Sequence, residues 1–371
     1  MDPFTHTLFG ATLADTGLRR TTPLAAATLL VGVNLPDVDF VTYFVDADLS
    51  LAWRRGWTHG ILAMVVLPLL LAGGMLVWDR AVRRARDATL APARFVPLLG
   101  LACLGVWSHP TLDWLNTYGV RLLMPFSGRW FYGDTLFIID PFLWCLLGGV
   151  VFLRHSASAR ALLAWAALAL AMSLAVLAAP SPIAKALWFL GLTTLAILRF
   201  RPLAEMSSAT GHRLARGALV LGALYVGLLM VGSRVAETEI RSTLQSQGIG
   251  PVEDLLVGPL PASPWRRDVV VVTAEGYRHG TFAWAREPRL ELSSDVLPHL
   301  PDDPVVHAAL EAPCLRGMAG WVRYPFVEVE NKSDGHHVWL LDARYTRGRT
   351  EGFGGGHIHL DSDLEPTCDA H

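Results

Sequence analysis

Six apolar blocks of membrane-spanning length occupy the first two thirds of the chain and constrain its fold more than any other feature. Each block has about 16–21 residues, close to the roughly 20 that an α-helix needs to cross about 30 Å of hydrocarbon. Charged residues make up only 17% of the chain, whereas soluble domains average about a quarter. An integral membrane protein is therefore predicted. The blocks lie at about Ile61–Trp78, Phe95–Leu115, Phe137–Leu153, Ala161–Ala178, Ile183–Leu198 and Leu214–Gly232.

Two shorter apolar blocks, Phe4–Leu18 and Pro23–Leu35, precede these six. Arg19 and Arg20 stand between them, so the pair is interpreted as a helical hairpin that either spans the bilayer or re-enters it. The predicted fold class is an α-helical polytopic membrane protein with about eight membrane helices, of which the first two are short.

Arginine distribution predicts the orientation, because cytoplasmic loops carry an excess of basic residues. Arginines are concentrated in the loops Asp79–Arg94 and Arg199–Arg216, at the tip of the first hairpin, and around Arg154 and Arg160. If these four places are cytoplasmic, eight helical passes alternate correctly and both termini lie outside. A bacterial inner-membrane location with a periplasmic outer face is expected.

The composition changes at about Arg234, where blocks of spanning length stop and short Val- and aromatic-rich runs begin. Such runs, bounded by Gly, Pro or Asp, are typical of strands. We predict a soluble, mostly β domain on the outer side, with a flexible tail at Gly352–His371. The predicted organisation is a membrane-embedded unit at 1–153, additional transmembrane helices at 154–233 and the β domain at 234–371.

Two further compositional features bear on partners and redox state. The net charge of −2 gives no argument for nucleic acid as a partner. The four cysteines show no CxxC spacing, which argues against a zinc site with thiolate ligands and against a disulfide framework. Cys314 and Cys368 could form a disulfide if the C-terminal domain is periplasmic.

Histidines and aspartates gather at the helix ends that the arginine-based topology places outside. Ionisable residues near membrane spans are costly and are therefore functional candidates. Imidazole and carboxylate together bind zinc, manganese or iron. His109 and Asp113 are four residues apart and share a helical face, and a carboxylate could also bridge two metal ions. The eight candidates are His6, Asp37, Asp39, His59, His109, Asp113, Asp134 and Asp140.

Ordinary structural explanations exist for several of these residues. A single His or Asp at a membrane interface is usually a solvated end group, and the Asp-Val-Asp segment after Pro36 could be a helix cap. Tryptophans nearby are typical of an interfacial aromatic belt. Arg121 and Arg129 could hold phosphate oxygens, or could equally anchor lipid headgroups. The pairs His336-His337 and His357-Ile358-His359 form a weaker second candidate for metal binding.

Four motifs carry a family resemblance over about residues 1–150. They are Met1–Thr7, Asn34–Asp39, Arg55–His59 and His109–Asp113. In this order they resemble the YdjM-like family of bacterial inner-membrane metal-dependent hydrolases, which is thought to be distantly similar to zinc-dependent phospholipase C and P1-type nucleases. The resemblance implies one to three zinc ions. Many family members have a His where this chain has Arg54, so a ligand could be missing or Arg54 could bind an anionic substrate. The implied ligands are His6, Asp37, Asp39, His59, His109 and Asp113.

This resemblance implies a membrane-bound hydrolase with the lipid bilayer and a lipid or lipid-linked substrate as partners. Metal-activated water would cleave a phosphoester or another ester at the outer face of the membrane. Asp37 or Asp134 would accept the proton, and Arg129, together with Arg121, would bind phosphate oxygens.

Two other functions remain open at this level. A metal or ion transporter would need polar residues at mid-depth in several helices, and Ile61–Trp78, Ala161–Ala178 and Leu214–Gly232 contain almost none. A non-catalytic envelope protein would use its metal structurally, with four protein ligands, whereas a catalytic zinc keeps a position for water.

Overall fold

The computed structural model describes residues 1–200, 208–348 and 354–368. Within these residues an N-terminal helical region precedes a C-terminal domain of two antiparallel sheets. The helices are α1 (Pro3–Asp15), α2 (Ala25–Gly32), α3 (Ala47–Trp53), α4 (Ile61–Trp78), α5 (Arg84–Arg86), α6 (Phe95–Trp114), α7 (Pro141–His155), α8 (Ala159–Ala178), α9 (Pro182–Phe200), α10 (Ser208–Ser246), α11 (Pro304–Glu311) and α12 (Arg316–Trp321).

The number of membrane spans is smaller than the predicted eight. Among the described residues, five helices are long and apolar enough to cross a bilayer, namely α4 with its extension to Arg86, α6, α8, α9 and α10. A sixth span results if α2 and the 3₁₀ segment Leu35–Phe44, bent by 45° against each other, count as one. The count of eight is not confirmed, because α1 has 13 residues and α7 has 15. A 13-residue helix rises only about 20 Å.

Both short helices begin with a proline that follows a capping aspartate. Asp2 accepts a hydrogen bond from the Thr5 amide at 2.9 Å, and Asp140 accepts one from the Leu143 amide at 2.8 Å. Pro suits the first helical position because its fixed φ is close to the helical value and because an N–H at this position would have no partner within the helix. These caps set the starting points of α1 and α7 at the same end of the helical region as the His/Asp candidates.

The arginine-rich loops meet at one end of the helical region. The buried carboxylate of Asp15 pairs with Arg19 at 2.6 Å and with Arg154 at 3.2 Å. Arg216 donates to the Thr16 carbonyl at 3.1 Å. The segments around residues 19, 154 and 216 therefore lie together, as the arginine-based topology requires.

The last long helix, α10, joins the two parts of the chain. Composition predicted the end of the helical region at about Arg234, but α10 continues to Ser246. Ala236, Ile240 and Leu244 are buried against the first sheet, and their spacing of four places them on one helical face. The β domain is thus packed directly on a continuation of a membrane helix.

The C-terminal domain pairs its strands in the orders β1-β2-β3-β4 and β5-β6-β7-β8, all antiparallel. The sheets pack on each other through residues such as Val270 and Phe326, while α11 and α12 cover the far side of the second sheet. The strands are β1 (Asp254–Leu260), β2 (Ser263–Thr273), β3 (Gly276–Ala283), β4 (Leu290–Leu297), β5 (Pro325–Lys332), β6 (Gly335–Asp342), β7 (Gly355–Leu360) and β8 (Pro366–Thr367).

The predicted flexible tail is wrong for residues 354–368, because they supply β7 and β8. A disulfide between Cys314 and Cys368 joins the end of this segment to the 3₁₀ turn before α12. Residues 352–353 and 369–371 of the tail lie outside the described residues.

The C-terminal domain docks on the loops at the end of the helical region that holds the His/Asp candidates. The Asp48 carboxylate of α3 accepts hydrogen bonds from the Gly317 and Met318 amides at the start of α12, at 2.7 and 2.8 Å. Arg344 donates to the Thr117 carbonyl at 2.7 Å. These contacts fix the loop that follows α6, and α6 carries two of the candidate ligands.

Candidate metal centre

Four of the predicted ligands converge at one end of the helical region. One donor atom from each of Asp37, His59, His109 and Asp113 lies within 4.8 Å of the other three. We call these four residues the His/Asp cluster. His59, His109 and Asp113 are fully buried, whereas the Asp37 side chain is 19% exposed. The cluster therefore opens towards its surroundings at Asp37.

Close packing of α2 on α6 sets the position of His109. Gly32 and Gly105 face each other so closely that a Cβ built on Gly32 would lie 3.3 Å from the Gly105 Cα. Small residues permit such close approach between membrane helices. The carbonyl of Val33, one residue past α2, consequently lies 2.7 Å from His109 Nδ1.

Hydrogen bonds determine which nitrogen of each imidazole faces the cluster. A carbonyl oxygen only accepts, so His109 Nδ1 donates to Val33 and the neutral ring presents the Nε2 lone pair. The Thr58 hydroxyl donates to Asp39 Oδ2 at 2.7 Å, so its oxygen accepts from His59 Nδ1 at 2.9 Å. His59 Nε2 then also carries a lone pair. Hydrogen-bond partners of this kind, on the nitrogen that does not face the metal, typically fix the tautomer of metal-binding histidines.

The two lone pairs point at each other across a gap suited to a cation. His59 Nε2 and His109 Nε2 are 3.1 Å apart. Asp113 Oδ2 lies 3.4 and 3.6 Å from these nitrogens, and Asp37 Oδ1 lies 4.0 and 3.5 Å from them. Tetrahedral zinc with ligand bonds of about 2.0–2.1 Å would separate its ligand atoms by about 3.3–3.4 Å. The donor types and spacings therefore fit a divalent metal ion.

Arg55 is the site residue that sequence reasoning missed. Its buried guanidinium meets both oxygens of Asp113, with Nε 3.0 Å from Oδ2 and Nη2 3.2 Å from Oδ1. It also donates to Asn116 at 2.9 Å and lies 4.5 Å from the centroid of the Tyr118 ring. Asp113 is thus held by a buried cation that contacts both of its oxygens. The available signal was its place at the start of the motif Arg55–His59, four residues before His59.

The other two predicted ligands stand directly behind the cluster. The His6 ring stacks on His109 with centroids 3.9 Å apart, and its Nε2 lies 3.3 Å from Asp113 Oδ1. The main-chain amino group of Met1 contacts the same oxygen. Asp39 accepts from the Arg55 amide at 3.0 Å and lies behind His59. His6 and Asp39 therefore contact and orient cluster residues and are not among the four convergent donors.

The remaining carboxylate candidates are engaged elsewhere. Asp134 forms an ion pair with Arg323 of the C-terminal domain at 2.8 Å; burial raises the pKa of Asp134, and Arg323 opposes this shift. Asp140 caps α7 and accepts a hydrogen bond from the Tyr225 hydroxyl at 2.9 Å. The proton-accepting role predicted for Asp134 and the outer-shell role predicted for Asp140 have no support from these contacts.

The predicted arginines likewise lie outside the cluster. Arg129 is exposed, with its guanidinium 5.3 Å from the centroid of the Phe131 ring. Arg121 donates to the Ala52 carbonyl at 2.6 Å, which ties the outer loop to α3. Arg54 lies 6.0 Å from the ring centroids of Phe40 and Tyr118. None of the three contacts a cluster side chain within the described part of the chain.

Apolar side chains surround the segment that carries Asp37. Several of them are strongly exposed, including Phe44 at 78% and Tyr43 at 59%. Trp53 and Trp57 pack on each other with ring centroids 5.8 Å apart and are also exposed. We call this surface the aromatic rim; it consists of Phe40, Tyr43, Phe44, Trp53 and Trp57.

Comparison with known proteins agrees with the location of the cluster. The chain is 26% identical over 153 residues to a Bacillus subtilis (strain 168) protein named "Uncharacterized protein YfhP". The match covers 38% of this chain and 43% of that protein, so the chain matches less than half the length of this relative. No solved structure gives a significant match. Residues 1–182, which hold the whole cluster, match the family of the YdjM inner membrane protein. Together with the apolar helices, this match indicates that the chain is a multi-pass inner membrane protein that is YdjM-like over its N-terminal part.

Proposed function

We propose that this protein is a membrane-bound metal-dependent hydrolase that cleaves a phosphoester, or another ester, of a lipid or lipid-linked substrate. The observation that carries the proposal is the pair of imidazole lone pairs facing each other at 3.1 Å beside two carboxylates. Two lone pairs at this distance repel each other unless a cation lies between them. A buried site of this composition beside an apolar surface suits hydrolysis at a membrane.

His59 and His109 would hold the metal through Nε2, and Asp37 and Asp113 through one carboxylate oxygen each. Zinc is the proposed ion, because it takes imidazole and carboxylate donors and the spacing of the donor atoms is close to that around tetrahedral zinc. Such a metal acts as a Lewis acid and lowers the pKa of bound water to about 7.

The residues around the metal have separate tasks in this proposal. Asp37 lies at the open side of the cluster, where its second oxygen accepts a proton from the attacking water. Arg55 keeps Asp113 ionised and in place, while Asp39 and Val33 hold the two imidazoles in the orientation described above. The burial of His59, His109 and Asp113 excludes bulk water, which strengthens every charge interaction inside the cluster.

The aromatic rim is the reason for proposing a lipid substrate. Tyr and Trp concentrate at membrane–water interfaces, where their apolar rings meet lipid and their polar atoms meet water. Here Tyr43 lies in the same 3₁₀ segment as Asp37, the partly exposed member of the cluster. Trp57 lies two residues before His59. A substrate anchored in the same bilayer would reach Asp37 by lateral diffusion, with its headgroup at the depth of the cluster.

Hydrolysis can be tested directly on the purified full-length chain loaded with Zn²⁺. We expect release of the phosphorylated headgroup from phosphatidylglycerol in mixed micelles, and Asp37→Asn should lower the rate about 100-fold or more. Asp302→Asn is the matched control, because this side chain is 97% exposed and lies in the C-terminal domain. Hydrolysis that is unaffected by Asp37→Asn would contradict the proposed role of this residue.

The same geometry favours a second candidate, a non-catalytic envelope protein with a structural metal. Four protein donors converge, and a closed set of four protein ligands is typical of structural zinc. In that case the zinc-loaded protein would hydrolyse neither phosphatidylglycerol nor bis(p-nitrophenyl) phosphate, and removing zinc would lower the thermal unfolding temperature. Hydrolysis of either compound that depends on zinc and on Asp37 would favour the enzyme.

We further propose that the His/Asp cluster and the C-terminal domain face the periplasm. The arginine-rich loops meet around Asp15, at the end of the helical region that the positive-inside rule assigns to the cytoplasm. The disulfide between Cys314 and Cys368 also supports an oxidising compartment for the C-terminal domain.

Thiol labelling of whole cells tests this orientation. After denaturation without reductant, a maleimide–polyethylene glycol reagent should modify Cys103 and Cys145 only, since these two are free thiols in the structure. Cys314 and Cys368 should react only after reduction. Modification of all four cysteines without reductant would contradict a periplasmic C-terminal domain.

A further inference from the structure

A second group of potential metal ligands lies in the C-terminal domain, outside the part of the chain that matches the YdjM family. Strands β6 and β7 pair so that His337 faces His359 and Trp339 faces His357. Alternate residues of a strand point to the same face of the sheet. The side chains of His337, His357 and His359 therefore share one face, next to the β5–β6 turn that carries Asp334.

Three donor atoms from this group converge. Asp334 Oδ2 lies 3.4 Å from His337 Nε2 and 3.9 Å from His359 Nε2. One donor atom from each of these three residues lies within 4.8 Å of the other two. The spacing resembles that of the His/Asp cluster, although the two groups share no element of structure.

The surroundings of His337 resemble those of a metal ligand. Its other nitrogen, Nδ1, lies 3.2 Å from His357 Nε2, and the two rings stack with centroids 5.3 Å apart. Metal-binding imidazoles commonly use the second nitrogen in such a contact, which fixes the ring orientation. His337 Nε2 is itself buried and makes no hydrogen bond within the described residues.

Other histidines of the C-terminal domain show the contrasting, purely structural arrangement. His279 Nε2 donates to the Ala343 carbonyl at 2.6 Å, and His299 Nε2 donates to the Thr273 carbonyl at 2.7 Å. Among the described residues, neither histidine belongs to a group of three or more potential metal ligands. Two histidines beside one carboxylate are thus not a general property of this domain.

We propose that Asp334, His337 and His359 form a second, independent binding site for a divalent metal ion of the zinc type. Two imidazoles and one carboxylate provide three ligands, and the 59% exposure of Asp334 leaves room for water as the fourth. His359 Nε2 donates to the Asp334 carbonyl in this structure; to bind the ion through Nε2, the neutral ring takes its other tautomer, with the proton on Nδ1. Because a proton competes with the ion for each imidazole, affinity should fall as the pH is lowered. The site does not depend on the hydrolase proposal.

Equilibrium dialysis of the full-length chain against Zn²⁺ tests this site. In a His59→Ala/His109→Ala background, which removes the first cluster, we expect about one bound Zn²⁺ per chain. Adding His337→Gln and His359→Gln should abolish that ion, or weaken its binding at least about 100-fold. His336→Gln is the matched control, because it lies in the same strand on the opposite face and bonds to Asn331.

The parent chain provides a second, independent comparison if the background variant folds poorly. There, His337→Gln/His359→Gln should reduce the bound Zn²⁺ from about two ions per chain to one. Retention of the Cys314–Cys368 disulfide and of the melting temperature would show that the domain remains folded. Unchanged zinc stoichiometry in both comparisons would overturn this inference, whatever the state of the first cluster.

Discussion

Replacing His59 and His109 together with alanine is expected to remove one metal ion per chain. Each imidazole supplies a buried lone pair, and one of the two carboxylates that remain, Asp113, is already neutralised in part by Arg55. Two carboxylates without imidazole would bind zinc far more weakly, because nitrogen ligands dominate its preferred sites. Metal content of the purified protein, measured after dialysis, provides the readout.

Two controls make this result specific to the cluster. His307→Ala changes an exposed histidine of α11 and should leave the metal content unchanged. His6→Ala should weaken binding by about 10–100-fold without abolishing it, because His6 acts through Asp113 and through stacking on His109. Metal content that is unaffected by the double substitution would contradict the ligand assignment.

Arg55→Met is expected to destabilise the metal-free protein by about 3–5 kcal/mol, the usual cost of breaking a buried ion pair. Without the guanidinium, the carboxylate of Asp113 remains buried with 1% exposure and loses its bidentate partner. The unfolding temperature in detergent after chelation of metal measures the effect.

Arg54→Met is the matched control for this substitution, since the adjacent arginine contacts only ring faces and forms no ion pair in the described structure. Its effect should remain within about 0.5 kcal/mol. Saturating Zn²⁺ should recover part of the loss caused by Arg55→Met, because a ligand that binds only the folded state stabilises it by mass action. Equal destabilisation by both substitutions would contradict a special role for Arg55.

The convergence of the four ligands could be predicted because they occur near helix ends at one depth. His109 and Asp113 share a helical face, and His59 directly precedes a span, so helix geometry and topology were sufficient. The sequence alone could not distinguish the residues that could bind the metal from those that support them. Asp39 and Asp37 are two residues apart, and only the fold shows that Asp39 turns towards the His59 Nδ1 side.

Contacts between residues far apart in sequence were not visible to sequence analysis. Asp134 looked like a catalytic residue because it follows α6 at the outer side, but its partner Arg323 is 189 residues away in sequence. The sequence placed Arg55 in a motif but assigned it no role. Nothing local distinguishes an arginine that binds a buried carboxylate from one that contacts lipid headgroups.

Local composition also obscured two features of the fold. The change at Arg234 suggested the end of α10, although the spacing of Ala236, Ile240 and Leu244 could have indicated that the helix continues. The glycines before His357 suggested a mobile tail. Pairing with β6 orders this segment, and such pairing depends on residues about 20 positions earlier.

X-ray absorption at the zinc edge tests the central claim most directly. The measurement uses the Zn²⁺-loaded His337→Gln/His359→Gln variant, so that only the first cluster contributes. We expect a shell of nitrogen and oxygen ligands at about 2.0–2.1 Å, with the outer-shell scattering of two imidazoles. Zinc that does not bind to this variant, or a spectrum without imidazole scattering, would contradict a metal site at Asp37, His59, His109 and Asp113.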